Sequence, residues 1–473
     1  MKAILISGWA TIRTSYWFIP SLMAIAAIGL SFATTALDSR IGSSWLDEIS
    51  WLYANKPAGA RAVLSTVAGS MITVAGVTFS MTILSISHTT SQVGPRLVDN
   101  FMRDRGNQFT LGVFIATFLY CVMVLRTVRN ADTRPAGGVE GSVDLATAFV
   151  PQIAVIVGLI LAIASVGVLI FFIHHIPETI HVSNIISGVG RELNEKIDAQ
   201  FPSRVGRPNE DDEQRECEAN LPESFYESAR RVDSATAGYV EVLDADGLMC
   251  IASKHDLVIR LLAKPGDFRT CESALLLVGP DSRVTDEMEE TLRSMFIFGV
   301  KRTPTQDLRF QINQLVEVAM RALSPGVNDP FTATNCMDWL QSALEILSER
   351  QLPDAHRYDS SHDLRIVAEA ETFESFLSLV FDQLRPYVAT DRNASIHMME
   401  MIAKIASHVS TDCHRELLAD HATRLREACQ ENLNDESALS VLSDRYRAIG
   451  KLVDDEEYRS HVKRTDDWIG GRG

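Results

Sequence analysis

No C-x-x-C pair occurs in this chain of 473 residues. Its seven cysteines, Cys121, Cys217, Cys250, Cys271, Cys336, Cys413 and Cys429, are odd in number and widely spaced. That excludes a zinc ribbon and argues against a disulfide framework. Scattered reduced thiols suit a cytosolic setting. A Walker loop, a dinucleotide glycine motif, a G-x-S-x-G elbow and an H-E-x-x-H helix are also missing. No residue is nominated as catalytic, cofactor-binding or metal-binding, so neither an enzyme nor a cofactor is expected. Positive charge is scarce in the second part of the chain. Residues 1–175 hold 11 Lys and Arg against 8 Asp and Glu, a formal +3; the remainder holds 33 against 53, a formal −20. Phosphate backbones would be repelled, which excludes nucleic acid as a partner. Anionic lipid would repel the acidic part as well.

Charge is missing altogether from most of four long apolar runs, residues 16–37, 62–87, 109–128 and 149–173. None holds Asp, Glu, Lys or His, and the one Arg, Arg126, sits at the end of the third. A hydrocarbon core needs about 20 residues of helix. Only helices or closed barrels satisfy their backbone groups in lipid, and runs of this length mean helices. The first run follows Lys2 and Arg13. It is too long for a signal peptide, and Ala33-Thr34-Thr35-Ala36 is a poor cleavage site, so it reads as a retained anchor. Four spans put both termini on one side. Lys2, Arg13, Arg96, Arg103, Arg105, Arg191 and Lys196 lie there, against Arg40, Lys56, Arg61, Arg126, Arg129 and Arg134 on the other. Together with the unpaired cysteines, this places both termini and the soluble part in the cytoplasm.

The second run is unusually polar. Thr73, Ser80 and Ser87 recur every seven residues, and Thr78, Thr82 and Ser85 follow a second helical face. Small and hydroxyl residues can serve helix packing. They can also line a polar conduit. The lack of charge within the spans argues against a proton-coupled pump but not against a passive pore. Between the second and third runs, Leu97, Val98, Phe101 and Met102 make an apolar stripe, either a short interfacial helix or an ordinary connection.

Beyond the spans, Ile176, Ile180, Val182, Ile185, Ile186 and Val189 predict an amphipathic helix to about residue 197, followed by a polar linker over 203–220. His174, His175 and His181 lack a fourth ligand and do not make a metal site. Residues 238–279 are the clear β region, with a short helix over 246–255 and a turn at Pro265-Gly266-Asp267. Thr303-Pro304-Thr305-Gln306 reads as a helix start with Thr303 as N-cap. That helix stops at Ser324-Pro325-Gly326. Asn328-Asp329-Pro330 begins the next, with Asp329 as N-cap. The string is a structural elbow between packed helices, or else a helix start open to an anion. From there the chain reads as helical to its end, near 364–388, 394–408, 413–429 and 437–453. His414 and His421 share a helix face without the further ligands a metal needs. The expected organisation is a four-span transmembrane domain at 1–175, an amphipathic helix and linker at 176–220, a small α+β unit at 221–300 and a helical soluble domain at 301–473. The fold class is a mainly α membrane protein with a soluble α+β domain.

Several strings resemble one known family: Pro95-Arg96 through Phe101-Met102-Arg103-Asp104, Leu111-Gly112-Val113-Phe114 with Tyr120, Phe172-Ile173-His174-His175, Pro265-Gly266-Asp267-Phe268, and Ala322-Leu323-Ser324-Pro325-Gly326 through Asn328-Asp329-Pro330-Phe331-Thr332-Ala333. The chain is similar to the bacterial predicted membrane proteins catalogued as domain of unknown function twenty-two fifty-four. The resemblance spans most of the chain and implies a four-span protein of the bacterial inner membrane with a soluble domain. It supplies no activity, substrate or catalytic residue. Two functions are expected. One is a homo-oligomeric passive ion or solute channel whose second spans face a shared axis. The other is a membrane-tethered sensor or scaffold whose soluble domain meets a protein partner.

Overall fold

The computed structural model describes residues 17–41, 57–94, 104–129, 149–201 and 221–465. The chain divides into two units, one built on four apolar helices and one running from Val182 onward. The apolar helices are α1 (Phe18–Ile41), α2 (Pro57–Val93), α3 (Arg105–Leu125) and α4 (Gln152–Ile180). All four are long and apolar enough to cross a membrane. They fall where the sequence expects them. The apolar stripe at 97–102 and the linker at 203–220 lie outside the described residues.

Helix α3 is the most enclosed span, and it packs most closely on α1. A missing side chain permits this. A Cβ on Gly112 would meet the Met23 side chain and, at 3.3 Å, the Pro20 backbone. On the outside, Leu22, Ile25, Phe32, Leu159, Ile160, Ile163 and Ile170 are exposed, as a lipid-facing surface requires. Helix ends are closed by carboxylates. Asp104 accepts the Gly106 N–H at 3.0 Å and caps α3. Asp38, one residue beyond the first expected run, accepts the Ile153 and Ala154 N–H groups at 2.9 Å each and so caps α4 from α1.

The soluble unit opens with α5 (Val182–Gln200), which buries Ile186, Val189, Leu193 and Ile197. The amphipathic helix therefore starts later than expected. His181 leaves helical geometry, and Ile176 and Ile180 belong to the span before it. After α6 (Glu223–Ser228) come β1 (Arg230–Asp233), β2 (Gly238–Leu243), α7 (Ala245–His255), β3 (Val258–Leu261), β4 (Phe268–Arg269), β5 (Ala274–Gly279), α8 (Asp286–Ser294) and β6 (Phe296–Gly299). Helices α9 (Leu308–Ala322) and α10 (Pro330–Ser348) follow, then the strands β7 (His356–Tyr358) and β8 (Leu364–Val367). The chain continues with α11 (Phe373–Val388), α12 (Arg392–His408), α13 (Asp412–Asn432), α14 (Glu436–Asp454) and α15 (Glu456–Thr465).

The strands form two sheets, ordered β1-β5-β3-β8-β7 and β4-β2-β6. Their common core includes Val240, Leu248, Leu257, Ile259, Leu275, Leu276 and Phe296. Two expectations are corrected. Residues 303–453 are not all helical: Leu364-Arg365-Ile366-Val367, expected to open a helix, is β8 and pairs in parallel with β3 at Ile259 and Arg260. The hairpin joining β7 to it turns on Asp359, which accepts the Ser361 and Asp363 N–H groups, with His362 at a φ of 61°. The helix expected from Thr303 starts at Leu308 instead. Asp307 caps it by accepting the Phe310 N–H at 3.0 Å, because a charged acceptor binds the free N–H groups more strongly than a hydroxyl. Gln306 serves elsewhere: its side chain pairs with the backbone N–H and C=O of Leu243 at 2.8 and 3.2 Å.

Candidate functional site

The two faces of the second span separate cleanly. Thr73, Ser80 and Ser87 are exposed, whereas Thr78 and Thr82 are buried inside the membrane unit and Ser85 is half-buried. The face of Thr78 and Thr82 thus needs no second subunit to cover it. Nor do its hydroxyls need water. Thr78 donates to the Ala75 carbonyl, Thr82 to Thr78, Thr73 to Gly69 and Ser80 to Gly76, at 2.8–3.0 Å. A helix can satisfy its own hydroxyls by bonding back one turn.

A second polar line runs along the buried face of α3. Tyr120 donates to the Ala154 carbonyl at 3.0 Å and pairs with Thr34. Thr117 pairs with Ser165 at 3.1 Å. Nearer the start of α3, neither end of the Asn107 amide and not the Thr110 hydroxyl meets a hydrogen-bond partner among the described residues, although both are buried. Asp104 then meets His175 at 2.9 Å. Neither this line nor the pairing of His175 with Asp104 was drawn from the sequence. The spacing of Asn107, Thr110, Thr117 and Tyr120, in steps of three, seven and three residues, was the available signal.

The soluble unit contains a cavity of about 600 Å³. Its wall comes from the β2–α7 junction, the chain after β3, the start of α9, the β7–β8 hairpin and Phe376 of α11. The Pro265-Gly266-Asp267 turn forms part of it. Gly266 has a φ of 94°, and a Cβ there would run into the Asp307 carboxylate, so only glycine fits. Most charges around the cavity are matched. Lys264 Nζ lies 3.0 Å from Glu371 and 3.4 Å from Glu369. Arg309 also reaches Glu371, at 2.9 Å, and Arg269 reaches Asp267 at 2.8 Å. Burial raises the pKa of Glu371, but Lys264 and Arg309 outweigh it and hold the carboxyl below its ordinary range. Burial likewise lowers Lys264, and its two carboxylates more than reverse that. Arg357, half-buried on β7, is different: its side chain has no hydrogen bond or ion pair among the described residues. The sequence offered no cue to this cavity, because its wall is drawn from segments more than 100 residues apart.

At the elbow, Asp329 accepts the Thr332 N–H at 3.1 Å and the Thr332 hydroxyl at 2.6 Å. Its own N–H closes on the Ala322 carbonyl at 2.8 Å, and Asn328 takes a φ of 50°. The Thr332 N–H that an anion could use is thus occupied by Asp329. Ser324 accepts the Val327 and Asn328 N–H groups through its carbonyl, and Phe331 beyond Pro330 is 81% exposed. His414 packs against Phe373, and His421 against Phe381 with Asp382 at 3.8 Å.

A lipid-facing bundle of four spans and an α+β unit with an open cavity define a class: a multispan membrane protein carrying a ligand-sized pocket outside its spans. The chain belongs to the predicted membrane protein family DUF2254, whose family model matches residues 13–404. It is 28% identical over 431 residues to an uncharacterized protein of Mycobacterium bovis and to one of Mycobacterium tuberculosis. Each alignment covers 90% of this chain and 78% of the relative. No solved structure matches the chain.

Proposed function

We propose that this protein is a membrane-tethered sensor. The four spans hold it in the bacterial inner membrane, and the soluble unit, on the cytoplasmic side with both termini, takes a small ligand. The cavity of about 600 Å³ carries this reading. It has the size of an ordinary small-molecule site and mixes apolar walls with a few polar groups. Its wall joins both sheets to the helical part, so an occupant would couple elements that are distant in sequence. Among the described residues no nucleophile–base pair lines it, and the proposed role is binding rather than turnover.

A passive channel is the second reading, favoured by the buried polar line along α3 and by the exposed small residues of α2. Gly69 and Gly76 have open space beside them on the face of Thr73 and Ser80. In a homo-oligomer, second spans could meet there. Flux separates the two readings. Full-length protein in liposomes with a potassium gradient is expected to hold that gradient as well as empty liposomes do. Dissipation at channel rates, abolished by bulky residues at Thr73 and Ser80, would overturn the sensor.

A further inference from the structure

Arg357 is costly where it stands. A guanidinium keeps its charge in proteins and carries five N–H donors. Leaving such a group partly desolvated and unpaired lowers stability. The neighbouring cations Lys264, Arg269 and Arg309 each have a carboxylate at ion-pair distance, and Arg357 has none that close among the described residues. Burial pulls its pKa below the ordinary value, and Asp354 acts in the other direction. Groups that cost stability without an internal return are concentrated at functional sites. The rest of the cavity narrows the choice of occupant. Leu243, Met249, Leu261, Ile366 and Phe376 supply apolar wall. Asp246, exposed at the start of α7, adds a negative charge to the lining that disfavours a second anionic group.

We infer that the cavity takes a small amphiphile with one anionic group, a carboxylate or phosphate ester on an apolar body, with Arg357 as the anchor for that group. This rests on the sensor reading above and adds the ligand class to it. The carboxylate or phosphate accepts the N–H fork of Arg357 bidentately. The apolar body covers the wall beneath Met249 and Phe376. Binding then removes the unpaired charge, so the occupied unit is more stable than the empty one.

The test uses the full chain in detergent, with 4-phenylbutyrate and phenyl phosphate as anionic probes and 4-phenylbutanol as the neutral match. Calorimetry is expected to show at least one anionic probe binding about tenfold or more tighter than the alcohol, the worth of one charge-assisted pair. Arg357→Gln should bring the acid to the affinity of the alcohol, and Arg357→Lys should retain part of the difference. Without ligand, Arg357→Gln should unfold at the same temperature as the parent or higher, because it removes an uncompensated charge. Equal binding of acid and alcohol by the parent would overturn the anion and leave the sensor standing. Binding of neither probe at millimolar concentration would overturn both. Full acid affinity in Arg357→Gln would overturn Arg357 as the anchor.

Discussion

Asp38 offers the sharpest test of how the membrane unit is held together. Its carboxylate is 8% exposed, and each oxygen accepts one N–H from the first turn of α4 at 2.9 Å. The first turn of a helix has no internal acceptors for its N–H groups. Near the hydrocarbon edge, water is a poor substitute. Asp38→Ala removes both acceptors at once. At about 1–3 kcal/mol for each buried group left unsatisfied, the loss is about 2–6 kcal/mol. Asp38→Asn keeps one acceptor oxygen and aims an amide N–H at the other donor, so it should fall between the parent and Ala. Cys121 provides the readout. It is fully buried in the bundle beside Tyr120, so a thiol reagent reaches it only when the unit opens. In a chain with the other cysteines replaced, labelling of Cys121 should accelerate in Asp38→Ala by roughly 30-fold to about 20,000-fold, since each 1.4 kcal/mol is tenfold. Labelling rates for Ala and Asn that match the parent would refute the argument. They would mean that the α4 start is satisfied without Asp38.

Three further outcomes are expected. Asp329→Ala should cost about 0.5–2 kcal/mol in urea unfolding of the soluble unit, and Asp329→Ser less, because a hydroxyl can still cap α10. Gly112→Leu should lower the thermal stability of the purified protein by about 1–3 kcal/mol by forcing α1 from α3, whereas Gly69→Ala and Gly76→Ala, with open space around them, should raise it by about 1 kcal/mol each through helix propensity. A loss at Gly69 or Gly76 would instead place a second copy on that face. Burial holds the His421 imidazole below its ordinary value, with Asp382 opposing and Arg385 and Arg424 assisting. The unfolded chain therefore binds the proton first, so this contribution to stability is complete above about pH 6.5 and declines as pH falls through the lowered folded value. Thermal unfolding of His421→Gln between pH 5 and 7 should show a flatter profile than the parent, and an identical profile would refute the assignment.

The parts of the fold legible in the sequence are those whose signal is local. Four runs without Asp, Glu, Lys or His are read directly, because lipid imposes one requirement on every residue of a span. Asp329 was legible for a similar reason: a cap, a proline and a following helix lie within a few residues. The misread elements turn on competition between local signals. Thr303-Pro304 has the form of a helix start, yet Asp307 four residues on is the stronger acceptor. Leu364–Val367 has enough apolar residues for either helix or strand, and its parallel partner at Ile259 and Arg260 lies about 100 residues away. The cavity is a non-local object altogether. Arg357, Lys264 and Arg309 sit on separate segments, and only the fold shows which of them has been left without a partner.

The second span shows how a correct local reading can leave two inferences open. Its hydroxyls do recur on two faces, and lipid offers them nothing. The missing step is that a helix carries acceptors of its own: the carbonyls of Gly69, Ala75, Gly76 and Thr78 take these protons. Hydroxyl content therefore says little about a conduit, since the need it implies is met within one turn. An amide is a different matter. The side chain of Asn107 has no comparable bond back to its own helix, and it is buried at the same end of the bundle as the Asp104–His175 pair. If polarity in this bundle has a use beyond packing, residue 107 is where it would be felt. Asn107→Leu is isosteric enough to be tolerated and removes an amide whose hydrogen bonds are unmet, so a purely structural residue predicts equal or greater stability. Reduced activity in any reconstituted assay, from a variant at least as stable as the parent, would mark Asn107 as functional and return weight to the channel.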